Sequence, residues 1–261
     1  MMTHTMNRFF LAFGLLVSLS STQVQAQALA QSLKVLTTGA FKQVVVALIP
    51  AFESRSGVKV DLVNDTAGGV VKRIDAGEAF DVVFLTPAGL ATLAAQGKVD
   101  PASVQPIAKV GIGVAVKAGA PRPALETVDQ FKTAVLAARK VAYIDPASGG
   151  SSGIYLDGLF QRLGIAEAVR AKAVLVAGGL VAERVANGDA DLAIHQVSEI
   201  LPVAGVDLVG PLPEAIQNFT TYGYGISTAT RMAAVAKSFV AAFGTGEATE
   251  VIRVKGMVGV R

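Results

Sequence analysis

Short apolar runs and amphipathic stretches alternate along the first half of the chain. Strands are predicted, in order, at 33–37, 58–63 and 81–85, and helices at 41–53, 70–76 and 88–96. The strands are rich in Val, Leu and Phe, and the first helix carries apolar residues at helical spacing. This β-α-β-α-β order predicts a parallel sheet with its ligand sites at the carboxyl ends of the strands.

The same alternation continues to the end of the chain. Strands are predicted at 110–116, 140–144, 173–176, 191–194, 206–209 and 219–227, and helices at 128–138, 156–163, 180–187, 232–243 and 247–254. The long β runs 110–116 and 219–227 indicate that the backbone crosses twice between two lobes. We therefore predict lobe one at 31–110 plus 224–261, lobe two at 111–223, and a ligand in the cleft between them.

The segment 145–155, Asp-Pro-Ala-Ser-Gly-Gly-Ser-Ser-Gly-Ile-Tyr, lies between a predicted strand and a predicted helix. The first backbone N–H groups of a helix lack partners and carry partial positive charge, so this segment is typical of an anion site. Ser148, Ser151 and Ser152 offer hydroxyls, while the glycines let a ligand approach the backbone. An ordinary glycine-rich turn with a serine cap is the alternative interpretation.

Composition narrows the class of function. The chain has 261 residues, 52% of them hydrophobic, with a net charge of +3 and a pI near 9.2. A mildly basic protein suits an anionic ligand, but no Lys/Arg run interleaves with aromatics and Trp is absent, which argues against nucleic acid.

Several catalytic and cofactor classes are disfavoured as well. The absence of Cys removes disulfides, thiol catalysis and cysteine metal sites. His4 and His195 are the only histidines, so no multi-histidine metal site is expected. The glycine-rich loops lack the Lys-Ser/Thr ending of a P-loop, and there is no Gly-x-Ser-x-Gly elbow. We expect no metal and no cofactor.

The N-terminus predicts export. Arg8 precedes the apolar run 9–17, and Val-Gln-Ala at 24–26 places small residues where a signal peptidase cleaves. The run is short for a membrane helix. We predict a signal peptide at 1–26, cleavage after Ala26, and a periplasmic mature protein.

Three phrases, together with the order of elements, carry a family resemblance: Asp-Val-Val-Phe-Leu at 81–85 after Ile-Asp-Ala-Gly at 74–77, Ser-Ser-Gly-Ile-Tyr at 151–155, and Asn-Gly-Asp-Ala-Asp-Leu-Ala-Ile at 187–194. The mature chain resembles the periplasmic molybdate-binding proteins of ABC importers. The resemblance implies a type 2 periplasmic binding protein fold, with two α/β lobes, mainly parallel sheets and two crossing strands as hinge. It also implies a monomer that captures a small anion, an oxyanion or carboxylate, for an inner-membrane ABC permease.

The resemblance also places the oxyanion donors. Two family serines fall on Ala40 and Ala67, a backbone donor falls on Ser152 and another near Gly178, and a tyrosine falls on Gln196. Each lost partner of a buried polar group costs about 1–3 kcal/mol. The substitutions therefore disfavour molybdate and favour a larger anion, such as a di- or tricarboxylate.

The candidate ligand-binding residues share one property: they follow predicted strand ends or begin the helices after them. They are Thr37, Thr38, Thr66, Gly68, Arg73, Thr86, Ser148, Ser151, Ser152, Tyr155 and Gln196. The alternatives left open are a helix cap for Thr66, a core position for Tyr155, and solvent exposure for Arg73 and Lys42.

An isomerase is the second class of function, because aconitate isomerase is similar to this family. Its 1,3-proton shift needs a base and groups that hold three carboxylates. His195 or Lys42 would be the base, with Arg73 and the turns at 37–38 and 148–152 holding carboxylates. A structural, hydrogen-bonded His195 is the alternative, and Glu199 would either orient it or begin a helix.

Overall fold

The computed structural model describes residues 32–260. Its strands are β1 (Leu33–Thr38), β2 (Val60–Asp65), β3 (Val82–Leu85), β4 (Gln105–Lys117), β5 (Val141–Ile144), β6 (Ala173–Val176), β7 (Leu192–Gln196), β8 (Val206–Pro211), β9 (Phe219–Ile226) and β10 (Val258–Gly259). Its α-helices are α1 (Gly39–Ser56), α2 (Ala67–Asp75), α3 (Pro87–Ala95), α4 (Val128–Ala137), α5 (Ser151–Arg162), α6 (Ala166–Arg170), α7 (Glu183–Ala186), α8 (Val197–Ile200), α9 (Ala233–Ala241) and α10 (Gly246–Val254).

The strands follow the order β2-β1-β3-β9-β4-β7-β5-β6. Strand β1 lies parallel to β2 and β3, and β5 lies parallel to β6 and β7. Between these parallel groups run β4 and β9, which pair antiparallel with each other and with the strands beside them. The predicted α/β arrangement of two lobes joined by two crossing strands is confirmed.

Each lobe has its own apolar core. In lobe one, Phe41 of α1 and Phe84 of β3 lie in a buried cluster that also takes Phe239 from α9. In lobe two, Phe131 and Phe160 pack around Tyr143 of β5. Since β4 and β9 run through both lobes, the boundaries at 110/111 and 223/224 stay a prediction.

The helix boundaries differ from the predicted ones where the site is built. Helix α5 begins at Ser151, not at 156, so Ser151 and Ser152 belong to its first turn. The helix predicted over 180–187 is shorter, because Gly179 adopts φ of +90° and the chain turns until α7 starts at Glu183. The five-residue helix α6 was not predicted, and the four-residue helix α8 starts two residues before Glu199, where a helix start was one of two alternatives.

The predicted signal peptide lies outside the described residues. Among the helices of residues 32–260, none combines the length and apolar character needed to cross a membrane.

Candidate functional site

Three helix N-termini meet at one cavity of about 30 Å³. It lies where the carboxyl ends of β1, β2, β5 and β7 face one another, and its lining comprises Thr38, Gly39, Ala40, Asn64, Asp65, Thr66, Ala67, Ile144, Gly150, Ser151, Ser152, Gly179, His195, Gln196, Glu199 and Tyr222. The lining includes the first residues of α1, α2 and α5. The dipoles of the three helices, together with the N–H groups that begin α1 and α5, favour a negatively charged ligand.

The hydroxyl of Thr38 is available at this cavity. Thr38 stands at the N-cap of α1 but makes no side-chain cap hydrogen bond. Its Oγ1 is buried and has no hydrogen-bond partner within residues 32–260. Because a buried hydroxyl without a partner is costly, this atom points to a ligand as the missing partner.

The two lobes touch at the rim of the cavity. The Thr66 hydroxyl donates to the Ser148 carbonyl at 2.6 Å and accepts from the Gly69 N–H at 3.0 Å. Beside it, the Gly68 N–H donates to the Gly149 carbonyl at 3.0 Å. We call these two interlobe hydrogen bonds the rim contact. A Cβ on Gly68 would lie 2.9 Å from the Gly149 Cα, so the backbones meet only because both residues are glycine.

Gln196 and Tyr222 form a buried amide–phenol pair. The Gln196 amide donates to the Tyr222 hydroxyl at 2.8 Å, and that hydroxyl donates to Gln196 Oε1 at 3.1 Å. Burial, followed by the nearby charge of Glu199, raises the pKa of Tyr222. A phenol hydroxyl therefore reaches the cavity from β9, although the family's tyrosine position is Gln196.

His195 and Glu199 form a buried titratable pair in the lining. His195 Nε2 lies 3.3 Å from Glu199 Oε2, and the side chains are 2% and 8% exposed. Burial raises the pKa of Glu199 to about 8, although the positive charge of Lys42 acts in the opposite direction. Burial also lowers the pKa of His195 to about 3. Near neutral pH the pair is therefore a carboxylic acid beside a neutral imidazole.

This pair predicts the pH dependence of stability. Glu199 has a raised pKa in the folded protein, so its stabilising effect is full below 4.5 and is lost as pH rises to about 8. His195 has a lowered pKa, so its effect is full above 6.5 and is lost as pH falls to about 3. The trends oppose each other between 4.5 and 6.5, where we expect a plateau in melting temperature. Above pH 6.5 only the loss from Glu199 remains.

Thermal melts of the wild type and Glu199→Gln from pH 4 to 9 would test this expectation. The glutamine variant cannot ionise, so its stability should not decline above pH 6.5. In the wild type that decline is at most about 1.4 kcal/mol of unfolding free energy per pH unit. Parallel profiles for the two proteins would contradict the assignment.

Of the candidate ligand-binding and catalytic residues, the structure brings six to the cavity lining: Thr38, Thr66, Ser151, Ser152, His195 and Gln196. Two more, Gly68 and Ser148, supply the rim contact beside it. The first of the catalytic candidates, His195, is therefore at the cavity.

The other candidates are absent from the lining, and four of them have partners elsewhere. The Thr37 hydroxyl donates to the Thr38 carbonyl, and the Tyr155 hydroxyl donates to the Ile216 carbonyl at 2.7 Å. Arg73 pairs with Asp65 and Glu78. Thr86 caps α3 through the Gly89 N–H, and Lys42 is absent from the lining and acts on Glu199 through its charge.

Sequence reasoning left Tyr222 and Asn64 out of the site and gave Glu199 only a supporting role. Tyr222, Asn64 and Glu199 all line the cavity. Glu199 follows His195 by four residues, and this spacing could have indicated that the two side chains meet. Tyr222 lies in the middle of a strand, and no pattern around it indicates a site. Within residues 32–260 no group of three or more His, Asp or Glu side chains is arranged to hold a metal ion.

Comparison with solved structures finds the same fold in other proteins. The molybdate-binding protein of Azotobacter vinelandii superposes with a TM-score of 0.71 at 22% identity, over 88% of this chain and all of that one. The sulfate-binding protein of Mycobacterium tuberculosis superposes with a TM-score of 0.70 at 18% identity, over 88% and 87% of the two chains.

Sequence comparison identifies the family. An aconitate isomerase from a Pseudomonas species is 32% identical over 253 residues, which cover 95% of each chain. The sequence model of the family described as bacterial extracellular solute-binding protein matches residues 33–258. The chain belongs to this family of bacterial extracellular solute-binding proteins.

Proposed function

We propose that this protein binds a small carboxylate in the periplasm, in the cavity between its lobes. The observation that carries the proposal is the meeting of three helix N-termini with the unpartnered hydroxyl of Thr38. The two carboxyl groups in the lining do not oppose an anion, because Asp65 is paired with Arg73 and burial favours the neutral acid of Glu199.

The chemistry of the lining favours carboxylate over molybdate. Ala40 and Ala67, which stand where the resemblance places oxyanion-binding serines, both line the cavity without a hydroxyl. The hydroxyls in the lining come from Thr38, Thr66, the serines of α5 and Tyr222, and they are spread around the cavity. Donors distributed in this way suit a ligand with several acceptor groups.

A polycarboxylate requires the lobes to separate. A cavity of about 30 Å³ has room for little more than one or two water molecules. Ligand entry therefore breaks the rim contact, which re-forms when the lobes close around the bound anion. In its transport role the protein acts as a monomer and passes its anion to an inner-membrane ABC permease.

Aconitate isomerisation is the second candidate function. Two observations favour it: the His195–Glu199 pair in the lining, and the 32% identity to an aconitate isomerase along 95% of both chains. The reaction moves a C=C bond within one molecule, so a cavity that binds aconitate needs only a proton donor and a proton acceptor beside the carbon.

A ligand panel would test the proposed function. Thermal melts of the mature protein would be run with cis-aconitate, trans-aconitate, citrate, sulfate and molybdate. A carboxylate present at about 100 times its Kd should raise the melting temperature by roughly 5–10 °C. Thr38→Val, which keeps the shape and removes the hydroxyl, should reduce that rise, whereas Thr92→Val on the exposed face of α3 should not. Stabilisation by molybdate or sulfate alone would contradict a carboxylate ligand.

A further inference from the structure

We infer that His195 and Glu199 exchange protons with the carbon chain of a bound carboxylate, His195 as proton acceptor and Glu199 as proton donor. The inference rests on the proposed anion-binding function and assigns the chemistry of the same cavity.

The two side chains are held by different elements and meet inside the lining. His195 belongs to β7, whose register pairs it with Gly113 of β4. Glu199 belongs to α8 and reaches α1, where a Cβ on Gly39 would overlap its Oε1. A glycine at the first position of α1 therefore leaves the space that the carboxyl group occupies. Both side chains belong to lobe two, Glu199 also lies against α1 of lobe one, and both line the cavity.

The pair has unfilled hydrogen-bonding capacity. His195 Nδ1 is buried and has no partner within residues 32–260. A structural histidine in a core is expected to have both ring nitrogens satisfied, because an unsatisfied buried group costs about 1–3 kcal/mol. The unpartnered nitrogen of a cavity-lining ring indicates that a bound molecule completes its hydrogen bonding.

The protonation states match the assigned roles. The groups that face Glu199 are His195 from β7, Lys42 from α1 and Tyr222 from β9. Lys42 is the cation among these groups. Its positive charge does not outweigh the burial that keeps Glu199 protonated near pH 7. His195 is neutral under the same conditions, so one ring nitrogen is free to accept a proton.

The proton transfer balances without any added reactant. An imidazole nitrogen of His195 takes a proton from the methylene beside a carboxylate, and the C–H electron pair shifts into a new C=C bond. The old C=C bond opens toward the former vinyl carbon, which takes the proton of the Glu199 carboxyl group. The imidazolium and carboxylate then stand 3.3 Å apart, and the proton returns from nitrogen to oxygen to restore the neutral pair.

Proton NMR in D₂O tests the assignment. The wild-type protein, incubated with trans-aconitate, should form cis-aconitate that carries deuterium in its methylene group, because Glu199 equilibrates with solvent between turnovers. Glu199→Gln and His195→Gln should each slow conversion by about 100-fold or more, a usual contribution of a general acid or base. Both should still show a ligand-induced rise in melting temperature, because glutamine keeps hydrogen-bonding groups at each position. Glu250→Gln, which removes an exposed carboxylate of α10, serves as the matched control and should convert at the wild-type rate.

The outcomes separate the inference from the proposed function. Stabilisation of the wild type by aconitate without conversion or deuterium uptake would overturn the inference and leave anion binding intact. Conversion by Glu199→Gln at the wild-type rate would overturn the role of Glu199. Failure of every carboxylate to bind the wild type would overturn the proposed function and the inference with it. If a variant fails to fold, the pH profile of conversion by the wild type decides, because a Glu199 proton donor requires conversion to fall as pH rises through about 8, and a flat profile would overturn that role.

Discussion

Replacing Phe84 with alanine is expected to lower the free energy of unfolding by about 3–5 kcal/mol. Its fully buried ring lies 4.7 Å from Phe243 and 5.1 Å from Phe41, centroid to centroid, and also contacts Phe239. Removing the ring leaves a cavity among aromatic neighbours that cannot collapse to fill it, so both burial and ring contacts are lost. Urea denaturation followed by circular dichroism would measure the change.

Replacing Phe84 should also disturb the packing of α1 beside the anion site. Phe41, which packs on Phe84, lies in the first turn of α1, directly after the cavity-lining residue Ala40. Phe219→Ala is the matched control, since that ring is 53% exposed and its loss should change the free energy of unfolding by less than about 0.5 kcal/mol. Equal effects of the two substitutions would show that the aromatic cluster is not a main source of stability.

Replacing Gly68 with alanine is expected to weaken anion binding about tenfold or more. The new methyl group would lie 2.9 Å from the Gly149 Cα, a contact that real structures do not tolerate. The rim contact would open. A tenfold loss of affinity corresponds to about 1.4 kcal/mol of destabilisation of the closed state. The ligand-free protein should keep its stability, because alanine suits helix α2 better than glycine. Titration calorimetry with the best anion of the panel would measure the Kd.

Gly158→Ala provides the matched control for this prediction. Gly158 also lies in a helix, α5, where an added methyl group meets only the flexible end of Arg162 at 3.4 Å. It should leave the Kd unchanged. An unchanged Kd for Gly68→Ala would mean that the bound state does not use the rim contact.

The sequence was sufficient to predict the fold because each buried strand is a short apolar run with a helix of different periodicity after it. The runs at 33–37 and 219–227 correspond to β1 and β9 almost residue for residue. The predicted element boundaries were wrong where backbone geometry, and not hydrophobicity, determines the residue at which an element begins. Helix α5 starts at Ser151 because Gly150 is extended and the N–H groups after it are free to begin the helix.

The site was predicted only in part, because local and distant partners look alike in a sequence. Thr66 and Thr86 both follow strands and both cap helices, yet only Thr66 also reaches the other lobe. Tyr155 stands next to the α5 serines in sequence but bonds to the Ile216 carbonyl. Tyr222 reaches the cavity through the pairing of β9 with β4, and nothing near it in the sequence indicates this contact.

The pairing of β3 with β9 affects the order in which the two lobes acquire their strands during synthesis. Val82 lies opposite Ile226, so the sheet of lobe one gains its fourth strand only after β9 has been made. The parallel strands β5, β6 and β7 of lobe two are complete by Gln196. As the chain emerges, lobe two therefore has its full set of parallel strands while the first three strands of lobe one still lack their neighbour.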